Sequence, residues 1–214
     1  MKLERKSLAD SVYKALLRKI MDGSIKAGDK LREEHLCKSL GVSRTPLREG
    51  LLRLAKEGLI ERKPNCGCVA RERSCGEMSE LMDCRSMLEG LAVERHFNAL
   101  NWEKLNALKC RLESAKALPP EKARRDILDA DEALHKLILD ACENRFLKEQ
   151  IEHLQNLCAP YRIFRCESAP DIESIARERL EIVEAMLNRD RESAVSKLED
   201  HFAKSVAAFK NQKP

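Results

Sequence analysis

The sequence predicts a mainly α fold in two parts, and three observations carry that expectation. Charged residues make up 36% of the 214 residues and hydrophobic ones 43%, with only 8 glycines and 7 prolines, a balance that favours helices over a strand-rich chain. Apolar residues recur at helical spacing through most of the length. Charge is divided unevenly: residues 1–72 hold 17 Lys and Arg against 10 Asp and Glu, and the remainder holds 23 against 26. The net charge of +4 therefore conceals a basic front suited to a polyanion and a slightly acidic body that is not.

The same composition excludes several classes. No run of 18 apolar residues is present, and the start, Met1-Lys2-Leu3-Glu4-Arg5-Lys6, is too charged for a secretory segment; the expectation is a soluble cytoplasmic protein with no membrane partner. Nine cysteines, an odd set scattered along the chain, argue against a disulfide framework. Cys66-Gly67-Cys68 with Cys75 and Cys84 matches no ordinary CxxC metal pair and has no histidine near it. A thiol-based sensor using Cys66, Cys68 and Cys75 stays open as an alternative use of these residues.

Taken in order, residues 7–21 place Leu8, Val12, Leu16, Leu17 and Ile20 near one helix face, and Gly23 stops that helix. Ile25 to Leu31, with Gly28-Asp29 as turn residues, reads as a short strand or turn. Glu33 to Leu40 reads as a short helix with Leu36 and Leu40 at i, i+4, and Gly41 permits a turn into the next. That next helix begins at Gly41-Val42-Ser43-Arg44-Thr45-Pro46-Leu47-Arg48-Glu49: Ser43 or Thr45 can cap it, and Pro46 fits a first turn. Leu47, Leu51, Leu54 and Ala55 form its apolar stripe, Arg44, Arg48 and Glu49 lie off the stripe, and Gly58 ends it. The pair is a helix-turn-helix. Gly50 within its second helix costs about 1 kcal/mol in propensity, for no reason the sequence supplies.

Residues 59–70 read as a small hairpin, the wing, running from Leu59-Ile60 to Cys68-Val69-Ala70. The domains are expected at 1–72 and 79–214, joined by a polar linker at 73–78. Beyond the linker, helices are expected at about 77–99, 102–117, 121–142, 145–166, 171–188 and 190–210, an all-α helical bundle.

The front resembles the winged-helix domain of GntR-family bacterial transcription regulators, on Lys26-Ala27-Gly28-Asp29-Lys30-Leu31, Leu36, the stretch Gly41 to Glu49, Leu52-Arg53-Leu54 and Glu57-Gly58-Leu59-Ile60. The rest looks like the FCD ligand-sensing domain of the FadR-type branch. That likeness rests on Arg85-Ser86-Met87-Leu88-Glu89, Asp131-Glu132-Ala133-Leu134-His135, Asn144, Glu178-Arg179, Ile182-Val183-Glu184-Ala185, and Ala194 to His201-Phe202.

The resemblance implies a homodimeric regulator, more often a repressor and not an enzyme, whose affinity for pseudo-palindromic double-stranded operator DNA is switched by a small metabolite. Ser43, Arg44, Thr45 and Arg48 would meet the DNA. The wing departs from the family in having Cys66 where many relatives carry a basic residue, which leaves Arg62, Lys63 and Arg71 for phosphates.

In metal-binding relatives one aspartate and three histidines hold a divalent ion such as Zn, Ni or Mn, and the matching positions here are Asp131, His135 and His201, with Arg179 at the remaining histidine. The site then either holds metal through three ligands with Arg179 turned away, or holds none. In the second case the Arg179 guanidinium supplies the positive charge, pairs with Asp131 when the effector is absent, and binds a small carboxylate effector. A surface position in the run Arg177-Glu178-Arg179 is the plainer alternative.

Arg85 is the second effector-binding candidate, on a helix whose packed face is expected to contain Leu81, Met82, Leu88 and Leu91; an ion pair with Glu89 is compatible with that role. His153, Arg162 and Arg165 are further cavity candidates, and His35 and His96 are expected at the surface. A metal-dependent hydrolase built on Asp131, His135 and His201 is disfavoured, because no general base accompanies them.

Overall fold

The computed structural model describes residues 8–63, 67–115, 117–168 and 171–210, with the backbone alone over 162–168 and 209–210. The chain divides into two compact units, Met1–Arg73 and Ser74–Pro214. Among the described residues no helix is long and apolar enough to cross a membrane.

The first unit runs α1 (Leu8–Met21), β1 (Lys30–Leu31), α2 (Glu33–Leu40), α3 (Arg44–Lys56), β2 (Ile60–Lys63) and β3 (Gly67–Ala70). The predicted stripe of α3 is buried at Leu47, Leu51 and Leu54 and packs on Val12, Tyr13, Leu16 and Ile20 of α1; Leu8, expected on the same face of α1, is exposed. Gly50 now has a reason. A Cβ there would lie 3.0 Å from Val12 Cγ1 and 3.2 Å from the backbone nitrogen of Tyr13, so glycine lets α1 and α3 approach closely. Tyr13 Oη donates to Glu57 Oε2 at 2.6 Å, and the Arg53 guanidinium lies 3.8 Å from the centroid of the Tyr13 ring, closing the same interface from its rim.

Gly41 adopts the left-handed conformation, φ 65°, that turns the chain from α2 into α3. Ser43 stands at the N-cap with extended backbone, but its side chain caps no amide, a correction to the expected role of the hydroxyls. The wing forms an antiparallel sheet in the order β1-β3-β2, with Leu31 opposite Cys68 and Arg62 opposite Cys68 on the other side. Its tip, with Cys66, lies outside the described residues.

The second unit is built from α4 (Cys75–His96), α5 (Trp102–Ala115), α6 (Pro120–Ala141), α7 (Arg145–Ser168), α8 (Ile172–Leu187) and α9 (Arg191–Lys210), with a short 3-10 turn at Phe97–Ala99. All six predicted helices are present. The expected linker at 73–78 is corrected, because α4 already begins at Cys75. A reciprocal cap accounts for it: the Glu77 amide donates to Ser74 Oγ, and the Ser74 amide donates to Glu77 Oε2.

α4 packs on α9, α7 and α6, and α5 on α6 and α8, around a core that includes Met82, Val93, Leu105, Leu134, Ile138, Ile182, Met186 and Leu198. Leu91, expected in the packed face of α4, is exposed instead. Between α8 and α9 the chain turns at Arg189, φ 62°, whose guanidinium carbon lies over the Trp102 ring at 3.3 Å from its centroid.

Candidate DNA-binding helix and buried charge cluster

The first site is the start of α3. Its first turn contains no acidic residue, its N-cap hydroxyl is not used on its own amides, and Ser43, Arg44, Thr45 and Arg48 are all exposed. Free N-terminal amides, the positive end of the helix dipole and two guanidinium groups therefore converge on one surface, a combination suited to phosphate. Arg48 is not idle: its Nε donates to both oxygens of Glu33, at 2.9 and 3.1 Å, an exposed pair that a stronger anion can take apart. In the wing, Arg62 is exposed and Lys63 pairs with Glu61 at 2.8 Å.

The second site is a set of charged side chains that the core of the second unit encloses completely. Asp131 and His135 come from α6, Arg85 and Glu89 from α4, Arg179 from α8 and His201 from α9, and every one of them is buried. Arg179 thus faces inward, which removes the surface alternative. Its Nη2 forms an ion pair with Asp131 Oδ1 at 2.8 Å, without hydrogen-bond geometry, and its Nη1 donates to the carbonyl of Ile175 at 2.8 Å. The same Asp131 oxygen lies 3.8 Å from His135 Nε2 and 3.7 Å from His201 Nε2. The expected pairing of Arg179 with Asp131 is present.

Arg85 sits one step away. It grips Glu89 Oε1 with Nε at 3.0 Å and Nη2 at 2.7 Å, while Glu89 Oε2 meets His135 Nδ1 at 2.5 Å. Burial alone would raise the Glu89 carboxyl, but the Arg85 guanidinium and His135 outweigh it and hold the group down at about 2. An ionised Glu89 accepts only, so His135 Nδ1 carries the proton and, in the neutral ring, Nε2 is the acceptor turned toward Asp131. Gln155 on α7 completes the ring by donating to Glu89 Oε1 at 3.2 Å and to the His135 carbonyl at 3.3 Å. Burial pushes His201 down to about 3, against the opposing pull of Glu178, so its imidazole is neutral.

Glu89 and Gln155 are members of the cluster that sequence reasoning did not single out. Glu89 entered only within the Arg85–Glu89 stretch of the resemblance and as a partner in a helix pair, and nothing in the sequence points to Gln155. His153 is half-buried on α7, and the side chains of Arg162 and Arg165 lie outside the described residues. Cys68 is buried in β3 and Cys75 is exposed at the start of α4.

Three donors, Asp131, His135 and His201, bring ligand atoms within 4.8 Å of one another, as a divalent ion requires. Arg179 places its Nη2 2.8 Å from Asp131 Oδ1, the oxygen that also faces His135 Nε2 and His201 Nε2. At roughly 5 Å and an effective dielectric of about 20, a guanidinium repels a dication by about 7 kcal/mol. With Arg179 where it stands, the cluster does not fit a metal.

Known proteins agree with both halves. The description of bacterial regulatory proteins of the gntR family matches residues 8–69, and that of the FCD domain matches residues 80–204. The chain belongs to the GntR family, with an FCD domain. HTH-type transcriptional regulator YdhC of Bacillus subtilis is 31% identical over 191 residues, covering 89% of this chain and 85% of that protein. HTH-type transcriptional repressor RspR of Escherichia coli K12 is 23% identical over 190 residues, with 89% and 83% covered. The Zn2+-bound FCD domain of TM0439 is 25% identical with a TM-score of 0.55, covering 65% of this chain and 96% of that domain.

GntR-family proteins are DNA-binding transcription regulators and not enzymes, so the hydrolase alternative falls. FCD domains bind small-molecule effectors, and the thiol-sensor alternative is not favoured beside that assignment.

Proposed function

We propose that this GntR-family regulator is a homodimeric cytoplasmic repressor that reads a pseudo-palindromic operator through Ser43, Arg44, Thr45 and Arg48 and leaves it when a small carboxylate enters the buried cluster of the second unit. The observation that carries the DNA half is the acid-free, self-uncapped start of α3 with Arg44 and Arg48 exposed around it. One such helix reaches too few base edges for specificity, which is the reason to pair two of them across a two-fold axis. The repressor RspR, similar over most of the chain, supports the sign of regulation. Coupling would arise because effector binding favours one arrangement of the paired DNA-binding units over another.

Selection of bound sequences from random duplex DNA tests this reading, followed by anisotropy titration of the selected site. Recovery of a two-fold motif by a protein with dimeric mass supports it; a strict monomer binding all sequences alike ends it. Effectors are found by thermal-shift screening against organic acids with and without chelator, since a ligand of the native state raises apparent stability.

A further inference from the structure

We infer that Arg179 stands in for the divalent ion: its buried guanidinium is the fixed cation of the cluster, Asp131 is a resident carboxylate, and an anionic effector binds metal-free by taking Asp131's place on the Nε–Nη2 edge. The inference rests on the carboxylate-effector reading above and says how that site works.

Two arginines in the same core make the case by contrast. Arg85 has its whole Nε–Nη2 edge committed to Glu89 Oε1, with both contacts at 3.0 Å or less, and is a locked structural pair. Arg179 is only half committed. Its Nη2 holds Asp131 and its Nη1 the Ile175 carbonyl, while its Nε is buried and finds no hydrogen-bond partner among the described residues. A guanidinium edge offers two parallel N–H groups matched to the two oxygens of one carboxylate, so a ligand carboxylate can hydrogen-bond along an edge on which Asp131 Oδ1 makes only an ion-pair contact with Nη2. Such an orphaned donor in a buried charged cluster marks an unfilled ligand position.

The rest of the cluster accommodates the exchange. Asp131 Oδ1 lies 3.7 Å from His201 Nε2, and the Nε2–H tautomer of that neutral ring would give a displaced carboxylate a donor to accept from. A metal has no comparable route. It would share Asp131 Oδ1 with a guanidinium that stays protonated at every working pH, inside a core that leaves Arg179 only 6% exposed. Removing that one cation should therefore uncover a latent metal site, because Asp131, His135 and His201 are already gathered and His135 is already oriented by Glu89.

The test titrates Co2+ into full-length wild type, Arg179→His and Arg179→Gln after chelator stripping, followed by the visible absorption of the bound ion. Wild type should show no saturable site. Arg179→His should bind one equivalent per chain at least a hundredfold tighter, and Arg179→Gln, which removes the charge without adding a ligand, should fall between the two. A one-equivalent site in wild type, or folded His and Gln variants that bind no better than wild type, would overturn the inference. Asp131→Asn decides the anion half with malonate and citrate as probes. In a metal site it deletes a ligand and weakens binding, whereas here it removes the competitor and should raise the affinity seen by melting shift about tenfold or more. A shift equal to or smaller than that of wild type with both probes refutes this part. Neither assay reads DNA, so failure of sequence-specific operator binding would end the regulator reading separately and leave the Co2+ result standing.

Discussion

Two Arg–Glu pairs of almost the same length separate the two halves of the chain. Arg48 meets Glu33 at 2.9 Å with the arginine side chain 57% exposed, and Arg85 meets Glu89 at 2.7 Å with 1% exposed. Distance says nothing of what each contributes. The first pair trades water for a carboxylate at little gain and is held ready for another anion; the second has no water to return to, so each partner's charge depends on the other. The exposed pair can give way to another anion, whereas the buried pair holds both of its members in the core.

The comparison breaks most visibly at Glu89. Glu89→Ala strands the Arg85 guanidinium in the core and takes a hydrogen-bond partner from His135, and we expect the second unit to lose about 3–5 kcal/mol in denaturant unfolding. A loss below 1 kcal/mol would mean that water reaches Arg85.

Acidification separates the halves next. His201 is held neutral at about 3, below its ordinary 6.5, so the unfolded chain takes up a proton that the folded one refuses. Stability is complete above 6.5 and falls as the pH drops from 6.5 toward 3; Glu89, lowered from 4.5 to about 2, adds its own loss across that lower window. The described residues of the first unit include no buried Asp, Glu, His, Lys or Arg. Hydrogen exchange resolved by segment between pH 7.5 and 4 should therefore show α6 and α9 opening well before α1 and α3, and equal loosening would contradict the burial of His201.

On the exposed side, Arg44→Ala should cost about 1–3 kcal/mol in operator affinity if it contacts a base, with relaxed preference at that position. Arg48→Ala should cost less, because wild-type Arg48 must first leave Glu33. If instead either arginine meets only phosphate, all sequences weaken alike and the salt slope flattens. Unchanged affinity in both folded variants would move the DNA contact off this helix.

Gly50→Ala tests packing within the first unit. Alanine gains about 1 kcal/mol of helix propensity but sets a methyl against the Tyr13 backbone, and overpacking of about 1–3 kcal/mol should win, lowering the midpoint of unfolding. The smallest effect belongs to Glu33→Ala, with stability changed by less than about 1 kcal/mol and operator affinity undiminished. A large loss of stability there would erase the contrast between the two pairs.

Where the sequence speaks in periods, it was readable. Leu47, Leu51 and Leu54 announce α3 because helical spacing and burial coincide there, and the six later helices follow from the same rule within a few residues. α4 shows why the rule runs out. Its buried side carries Arg85, Glu89 and Gly90 beside Met82 and Val93, while Met87 and Leu91 point outward, so its apolar pattern no longer marks the core. The start of α4 was misplaced for a different reason: a polar Ser74-Cys75-Gly76-Glu77 run looks like a linker and is a helix cap. Asp131, His135 and His201 lie on two helices and up to 70 residues apart, and only family likeness brought them together before the fold did. The inward turn of Arg179 depends on the path of α8 and could only be stated as one of two outcomes.

Arg189 gives the second unit a property of another kind. The chain has one tryptophan, Trp102, and the guanidinium at the α8–α9 corner lies directly on it. Because α8 carries Arg179 and α9 carries His201, any swing of these helices that moves the corner also lifts a cation off the only indole. The protein thus contains its own single-site fluorophore, and emission from Trp102 can follow rearrangement of the buried cluster in real time without a label.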